Sequence, residues 1–278
     1  MCVLLVKHDK HGNPDRAKSR IVVLGNFEEQ IYSKSDQYIP VLKYSLLQLL
    51  TAEAVGDKQV LQQDDFNSAF CNATLPDDER MAVRPPIGDP GHDNDEYWLL
   101  NKTLYGLRRS PHHWYTMFTN ILKDMNLKPS PHDPYLFSGI INNTDPKSTR
   151  QEIHVGAYVD DFDFYSTDPV EEEKFKTALE SKLKIDFMGD ANYFLGTTFT
   201  WLRHEDGEVS VHLSQSAFTE FTAARFSVKK MNRVPNMTPY RSGLPIDSLP
   251  PPRDGDPDLK RRTKVYQGII GSINWLAT

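Results

Sequence analysis

Residues 153–165, Ile-His-Val-Gly-Ala-Tyr-Val-Asp-Asp-Phe-Asp-Phe-Tyr, decide the fold. The runs Ile153–Val159 and Phe162–Tyr165 are rich in β-branched and aromatic residues, which predicts a hairpin with Asp160 and Asp161 at its tip. Adjacent carboxylates repel one another unless a cation neutralises them. Mg²⁺ takes carboxylate oxygens together with water and phosphate, so the tip is a natural place for it. In a two-metal arrangement the ions sit about 3.5–4 Å apart and act on the attacking and leaving oxygens of a phosphoryl transfer. The plain alternative for the same residues is a solvated Asp-Asp turn.

Upstream, Val60–Phe66 reads as a strand running into a polar site, and Asp65 is placed to supply a third carboxylate. Apolar spacing predicts a largely buried helix over Ser45–Val55, ended by Gly56, and an amphipathic helix over Pro111–Met125 with proline in its first turn. Pro169–Leu183 reads as a charged helix with Phe175, Leu179 and Leu183 on one face. Val3–Val6 and Arg20–Leu24 form a hairpin about the turn chemistry of His11–Pro14. A further hairpin is predicted from Tyr193–Leu202 and Glu208–Leu213, followed by helices over Ser214–Phe226 and Val265–Ala277. Between those helices Gly243–Asp258, rich in Pro and Asp, reads as a linker. Helices and strands mix without βαβ regularity, which predicts an α+β fold with an antiparallel sheet.

The chain has 278 residues, 38% of them hydrophobic and 25% charged, as in an ordinary globular protein. No stretch approaches the roughly 20 apolar residues that cross a membrane. Cys2 and Cys71 are too few for a disulfide framework or a zinc site, and as reduced thiols they point to an intracellular protein. A formal net charge of −6 argues against nucleic acid as a partner for the chain as a whole. Locally the balance reverses: residues 221–246 hold no acid but carry Arg225, Lys229, Lys230, Arg233 and Arg241. Lys102, Arg108, Arg109, Lys123 and Lys128 form a second basic group. These stretches are compatible with a template groove and equally with solvated faces.

The motifs narrow the choice. Gln63-Asp64-Asp65-Phe66-Asn67-Ser68-Ala69-Phe70-Cys71-Asn72 is similar to the segment Q-L-D-V-K-T-A-F-L-N of copia-type LTR-retrotransposon reverse transcriptases. Leu104-Tyr105-Gly106-Leu107-Arg108-Arg109-Ser110-Pro111, with Trp114-Tyr115, resembles S-L-Y-G-L-K-Q-A-P-R-A-W-Y of the same family. Ser130–Phe137 resembles S-P-S-D-P-C-L-Y, and Tyr158–Asp161 matches the Y-V-D-D box. Asn192–Gly196 matches K-Y-F-L-G, Leu213–Ser216 matches L-S-Q, and Tyr266–Thr278 resembles Y-R-S-L-V-G-S-L-L-Y-L-A-T. The boxes follow in family order along nearly the whole chain, and that order carries the resemblance.

The resemblance implies an RNA-directed DNA polymerase of right-hand architecture. Fingers would come from 1–60 and 76–110, palm from 61–75 and 111–200, and thumb from 201–278. Asp65, Asp160 and Asp161 would be the catalytic, metal-binding triad for two Mg²⁺ ions, with Mn²⁺ a substitute; Asp64 competes with Asp65, but spacing to Ala69-Phe70 favours Asp65. Phe70 would lie beneath the incoming sugar and exclude a 2′-hydroxyl. Tyr105 and Gly106 would line the nucleotide site, and Lys18 and Arg20 would grip the triphosphate. Tyr158, Leu195 and Gly196 would contact primer and template. The implied partners are an RNA or DNA template with a DNA primer, dNTP, and other polyprotein domains such as integrase and ribonuclease H, with no membrane; the implied compartment is a cytoplasmic virus-like particle or the nucleus. Leu24 stands where the family carries Arg or Lys, and Asp163 is an added carboxylate expected on the strand's solvent face. The ribonuclease H domain and the usual lead into the first strand are absent, so the chain reads as a polyprotein fragment, or alternatively as a non-catalytic truncated remnant of the same polymerase.

Overall fold

The computed structural model describes residues 1–8, 14–28, 39, 42–141, 152–227 and 258–276. Most of the linker expected at Gly243–Asp258, and most of the basic stretch 221–246, lie outside the described residues. Two compact units are present: residues 1–191 with 203–210, and residues 192–202 with 211–278. The fold mixes helices with antiparallel sheets, as the α+β reading expected.

The first unit is built on a six-stranded sheet. In chain order its strands are β3 (Gln62–Phe66), β6 (Leu127–Pro129), β7 (Leu136–Gly139), β8 (Ile153–Tyr158), β9 (Asp161–Ser166) and β10 (Ile185–Asp190). They lie in the order β10-β3-β9-β8-β7-β6, and every neighbouring pair is antiparallel. The hairpin β8–β9 sits at the centre, and every residue from Phe162 to Ser166 is buried. That double-sided burial is why β9 reads as a continuous apolar run broken only by Asp163 and not as an alternating strand.

Among the described residues, three helices cover this sheet. Helix α1 (Tyr44–Gly56) buries Leu47, Leu50, Thr51 and Ala54, the one-sided pattern of a helix laid on a core. Helix α2 (Ser110–Asp124) begins with Pro111 in its first turn, where a missing N–H costs nothing, and buries Trp114, Phe118, Ile121 and Leu122. Helix α3 (Pro169–Glu180) is capped by Asp168, whose carboxylate accepts the Val170 N–H at 2.8 Å, and buries Phe175 and Leu179. It ends before Leu183, short of its expected end, although the Leu183 N–H still donates to Leu179 O at 2.8 Å. The core beneath α2 is aromatic: Phe66 lies 5.0 Å from the rings of both Trp114 and Phe118 and stacks on Phe162 at 4.7 Å. Each such buried ring contributes on the order of 2 kcal/mol from area alone.

A separate hairpin, β1 (Cys2–His8) with β2 (Pro14–Ile21), pairs Val3 with Arg20 and Leu5 with Lys18. Strands β4 (Ala82–Val83) and β5 (Trp98–Leu99) make a further small ribbon, too short to leave a periodic signal. In the second unit, β11 (Tyr193–Phe194) pairs with β12 (Thr197–Arg203) across a tight turn. Strand β13 (Val209–Ser214) completes the three-stranded sheet. Helix α4 (Ser216–Arg225) packs with α5 (Leu259–Leu276), which starts six residues ahead of the expected Val265 because Lys260, Arg261, Arg262 and Lys264 are good helix formers without apolar periodicity. Among the described residues no helix is long and apolar enough to cross a membrane.

Candidate active site

Antiparallel partners point to the same face of a sheet. Asp65 on β3 is the partner of Asp161 on β9 and also of Asp186 on β10, so three carboxylates stand in a row across three adjacent strands. Asp160 occupies the two-residue turn between β8 and β9, where its carbonyl accepts the Phe66 N–H at 2.8 Å and ties the turn to β3. Val159, the other turn residue, has φ 56°, a strained position for a β-branched side chain. The indole of Trp114 donates to Val159 O at 2.7 Å and holds that strained peptide from below.

These residues open onto a polar pocket of about 440 Å³ lined by Lys18, Arg20, Asp65, Tyr105, Asp160, Asp161 and Asp186. Four carboxylates and the two β2 cations line it together. Asp65 and Asp160 are therefore brought together with Asp161, Lys18 and Arg20. Asp64 is not: its partner is Phe162, so it lies on the opposite face, fully buried. Asp186 is a pocket carboxylate that sequence reasoning missed. Its signal was the register of β10 against β3, which no local pattern reveals.

Just past β3 the chain turns sharply. Ser68 takes a left-handed conformation, φ 55°, and leads into a short 3-10 turn, Ala69–Asn72. The Asn72 amide donates to Asn67 O at 3.2 Å and steadies that turn. This brings Phe70 to 4.9 Å from the Tyr105 ring. Tyr105 in turn donates its hydroxyl to Asp160 Oδ2 at 3.0 Å, and the Arg20 guanidinium lies 4.8 Å from the centre of its ring. Gly106 has φ 95°, and a Cβ there would fall 2.0 Å from Val23 O, so only glycine fits. Tyr158 ends β8 half-buried and does not line the pocket. Leu195 and Gly196 belong to the second unit and form the β11–β12 turn, with φ 48° and 80°.

Electrostatics separate the acids. Burial pushes the Asp160 carboxyl up, with Tyr105 and Arg20 pulling it back down and Asp65 adding to the rise. Asp163, fully buried, is raised well above the usual carboxylate range by burial, with Asp64 and Asp161 adding to it. That corrects the expectation of a solvent-facing Asp163. Its partner on β8 is Gly156, and a Cβ at Gly156 would lie 2.9 Å from the Leu50 side chain, so α1 covers this part of the sheet. Burial lifts Asp64 to about 7, offset in part by the Met188 N–H.

The donors suit a hard divalent cation, since the pocket offers carboxylate oxygens and Asp160 Oδ1 is buried with no hydrogen-bond partner among the described residues. Among the described residues, no group of three or more His, Cys, Asp or Glu side chains stands arranged to hold a metal ion.

The model of the family described as reverse transcriptase (RNA-dependent DNA polymerase) matches residues 2–239. The chain belongs to that family. Among its relatives is a retrovirus-related Pol polyprotein from transposon RE2 of Arabidopsis thaliana, 27% identical over 98% of this chain and 17% of the relative. The corresponding polyprotein from transposon RE1 of the same plant is 26% identical over the same shares, and that from transposon TNT 1-94 of Nicotiana tabacum is 24% identical over 98% of this chain and 20% of its own length. The chain thus spans about a fifth or less of these relatives. The copia-type resemblance stands, and reverse transcriptases as a class depend on divalent metal.

Proposed function

We propose that this reverse transcriptase chain is the polymerase core of a copia-type retrotransposon, extending a DNA primer on an RNA or DNA template. The observation that carries the reading is the row Asp161–Asp65–Asp186, which with Asp160, Lys18 and Arg20 lines one pocket. In this reading Asp65, Asp160 and Asp161 hold two Mg²⁺ ions. When bound, such ions would supply Lewis-acid activation of the primer 3′-hydroxyl and charge neutralisation at the α-phosphate. The side chains position and compensate charge without forming a covalent intermediate. Lys18 and Arg20 neutralise the β- and γ-phosphates, Gly106 lets the backbone approach the nucleotide, and Phe70 blocks a 2′-hydroxyl.

The right-hand layout follows from the same reading. Residues 1–60 and 76–110 serve as fingers, residues 61–75 and 111–200 as palm, and residues 201–278 as thumb. Tyr158 and the Leu195–Gly196 turn contact primer and template, and other Pol polyprotein domains are the expected neighbours.

Primer extension on poly(rA)/oligo(dT) with Mg²⁺ and dTTP tests the proposal. Extension that is lost in Asp160→Asn supports it. A folded chain that extends nothing overturns it for this chain and leaves the reading of a non-catalytic member of the same family.

A further inference from the structure

Asp160 is a pocket carboxylate whose two oxygens differ in their partners. Its Oδ2 accepts the Tyr105 hydroxyl at 3.0 Å, and its Oδ1 is buried without a partner among the described residues. Tyr105 is itself held from two sides. The Phe70 ring lies 4.9 Å away, and the Arg20 guanidinium sits 4.8 Å from the ring centre in cation–π geometry. Its backbone follows the end of the β1–β2 hairpin, because Tyr105 O accepts the Val23 N–H at 2.8 Å. A continuous path therefore runs from a hairpin cation, through an aromatic ring, to a carboxylate of the metal site.

We propose that Tyr105 is a positioning residue that latches Asp160 while the nucleotide is absent, and that a triphosphate drawn to Arg20 releases the latch. The proposal rests on the polymerase reading of the pocket. Without a cation, a half-buried carboxylate beside Asp65 is costly, and a phenol hydrogen bond offsets part of that cost. When phosphate oxygens engage Arg20, they withdraw the guanidinium from the ring face, and the hydroxyl gives up Oδ2 to a cation. Nucleotide binding and recruitment of the catalytic cation are coupled in this way, so the pocket does not fill with metal before substrate is present. The reciprocal effect follows by linkage: metal bound at Asp160 favours the Arg20 position that receives phosphate.

The test is Mn²⁺ titration of the whole chain without nucleotide, read by the electron paramagnetic resonance signal of free Mn²⁺. Tyr105→Phe keeps the ring and removes the hydroxyl, so it is expected to bind Mn²⁺ about five- to tenfold more tightly than the unaltered chain. Arg20→Met also tightens binding, and the double variant separates two causes. If Arg20 acts through the latch, the double variant binds no more tightly than Tyr105→Phe alone. If Arg20 only repels the cation, the two effects multiply, and the coupling is overturned. Mn²⁺ affinity that is unchanged or weaker in Tyr105→Phe overturns the latch itself. Asp160→Asn distinguishes the deeper failure: if that variant binds Mn²⁺ as well as the unaltered chain does, the polymerase metal site is wrong and the latch falls with it.

Discussion

Replacing Trp114 by Phe should loosen the Val159-Asp160 turn without touching a carboxylate. Trp114 is 3% exposed on α2, and its indole N–H donates to Val159 O at 2.7 Å. Val159 sits at φ 56°, a conformation that costs a β-branched residue on the order of 1–3 kcal/mol and persists only where surrounding contacts over-determine it. Phenylalanine retains an aromatic face toward Phe66 and Phe118 but removes the donor. The lost bond and the carbonyl left unsatisfied together should cost about 2–3 kcal/mol, measured as a lower urea midpoint at unchanged slope. The turn is then free to relax, and an error of about 1 Å in the position of Asp160 is worth roughly 100-fold in rate. Single-turnover extension should fall between about 10- and 100-fold, with little change in the dNTP concentration giving half the maximal rate. Adding Val159→Gly relieves the backbone strain, because glycine adopts that φ freely, and should recover rate more than it recovers stability. A Trp114→Phe variant that extends primer at the unaltered rate would refute the idea that the indole holds the turn in register.

Three further outcomes are expected. Asp64→Asn keeps an acceptor for the Met188 N–H at 3.1 Å and removes a carboxyl that burial holds near 7 against an ordinary 3.8. The folded chain keeps a proton there that the unfolded chain releases, so the native acid costs nothing below about pH 4 and about 4 kcal/mol above pH 7. Metal-free urea unfolding should therefore show Asp64→Asn gaining stability over the unaltered chain as pH rises from 4 to 8; a pH-independent difference contradicts this. Asp186→Asn, at an exposed position, should fold normally and raise the Mg²⁺ needed for half-maximal extension about two- to fivefold, and an unchanged Mg²⁺ requirement removes Asp186 from the site. Gly196→Ala forces an alanine to φ 80° and sets its Cβ 2.9 Å from Trp275 Nε1, whose N–H donates to Leu195 O at 3.1 Å. Hydrogen exchange in the second unit should report a loss of about 1–2 kcal/mol, and protection equal to that of the unaltered chain argues that the turn tolerates a side chain.

What could be read from the sequence was local, and what could not was a matter of register. The Asp160-Asp161 tip declares itself because its flanks carry β-rich residues on both sides, and the adjacent pair Asp64-Asp65 narrows to one pocket residue because successive side chains on a strand point to opposite faces. Helices α1, α2 and α3 are legible for the same kind of reason, since each displays its buried stripe within a single window of sequence. The β4–β5 ribbon has two residues per strand and offers no period to detect. Asp163 was misplaced because alternation fixes which face a residue takes, not whether that face is covered. The cover comes from Leu42 and Leu50, more than a hundred residues earlier in the chain. Asp186 and the Tyr105–Asp160 bond are hidden more deeply. Asp186 joins the row only because β10 pairs with β3 in the register that sets it opposite Asp65, and a slip of one residue would have turned Phe187 into the pocket instead. Tyr105 reaches Asp160 because a positive φ at Gly106 lets the 104–107 segment close on Val23, bringing together residues separated by 55 positions. A motif therefore names the groups a site requires, whereas the state in which the fold holds them, here Asp160 bonded to a phenol, is set by pairings between segments that no single window contains.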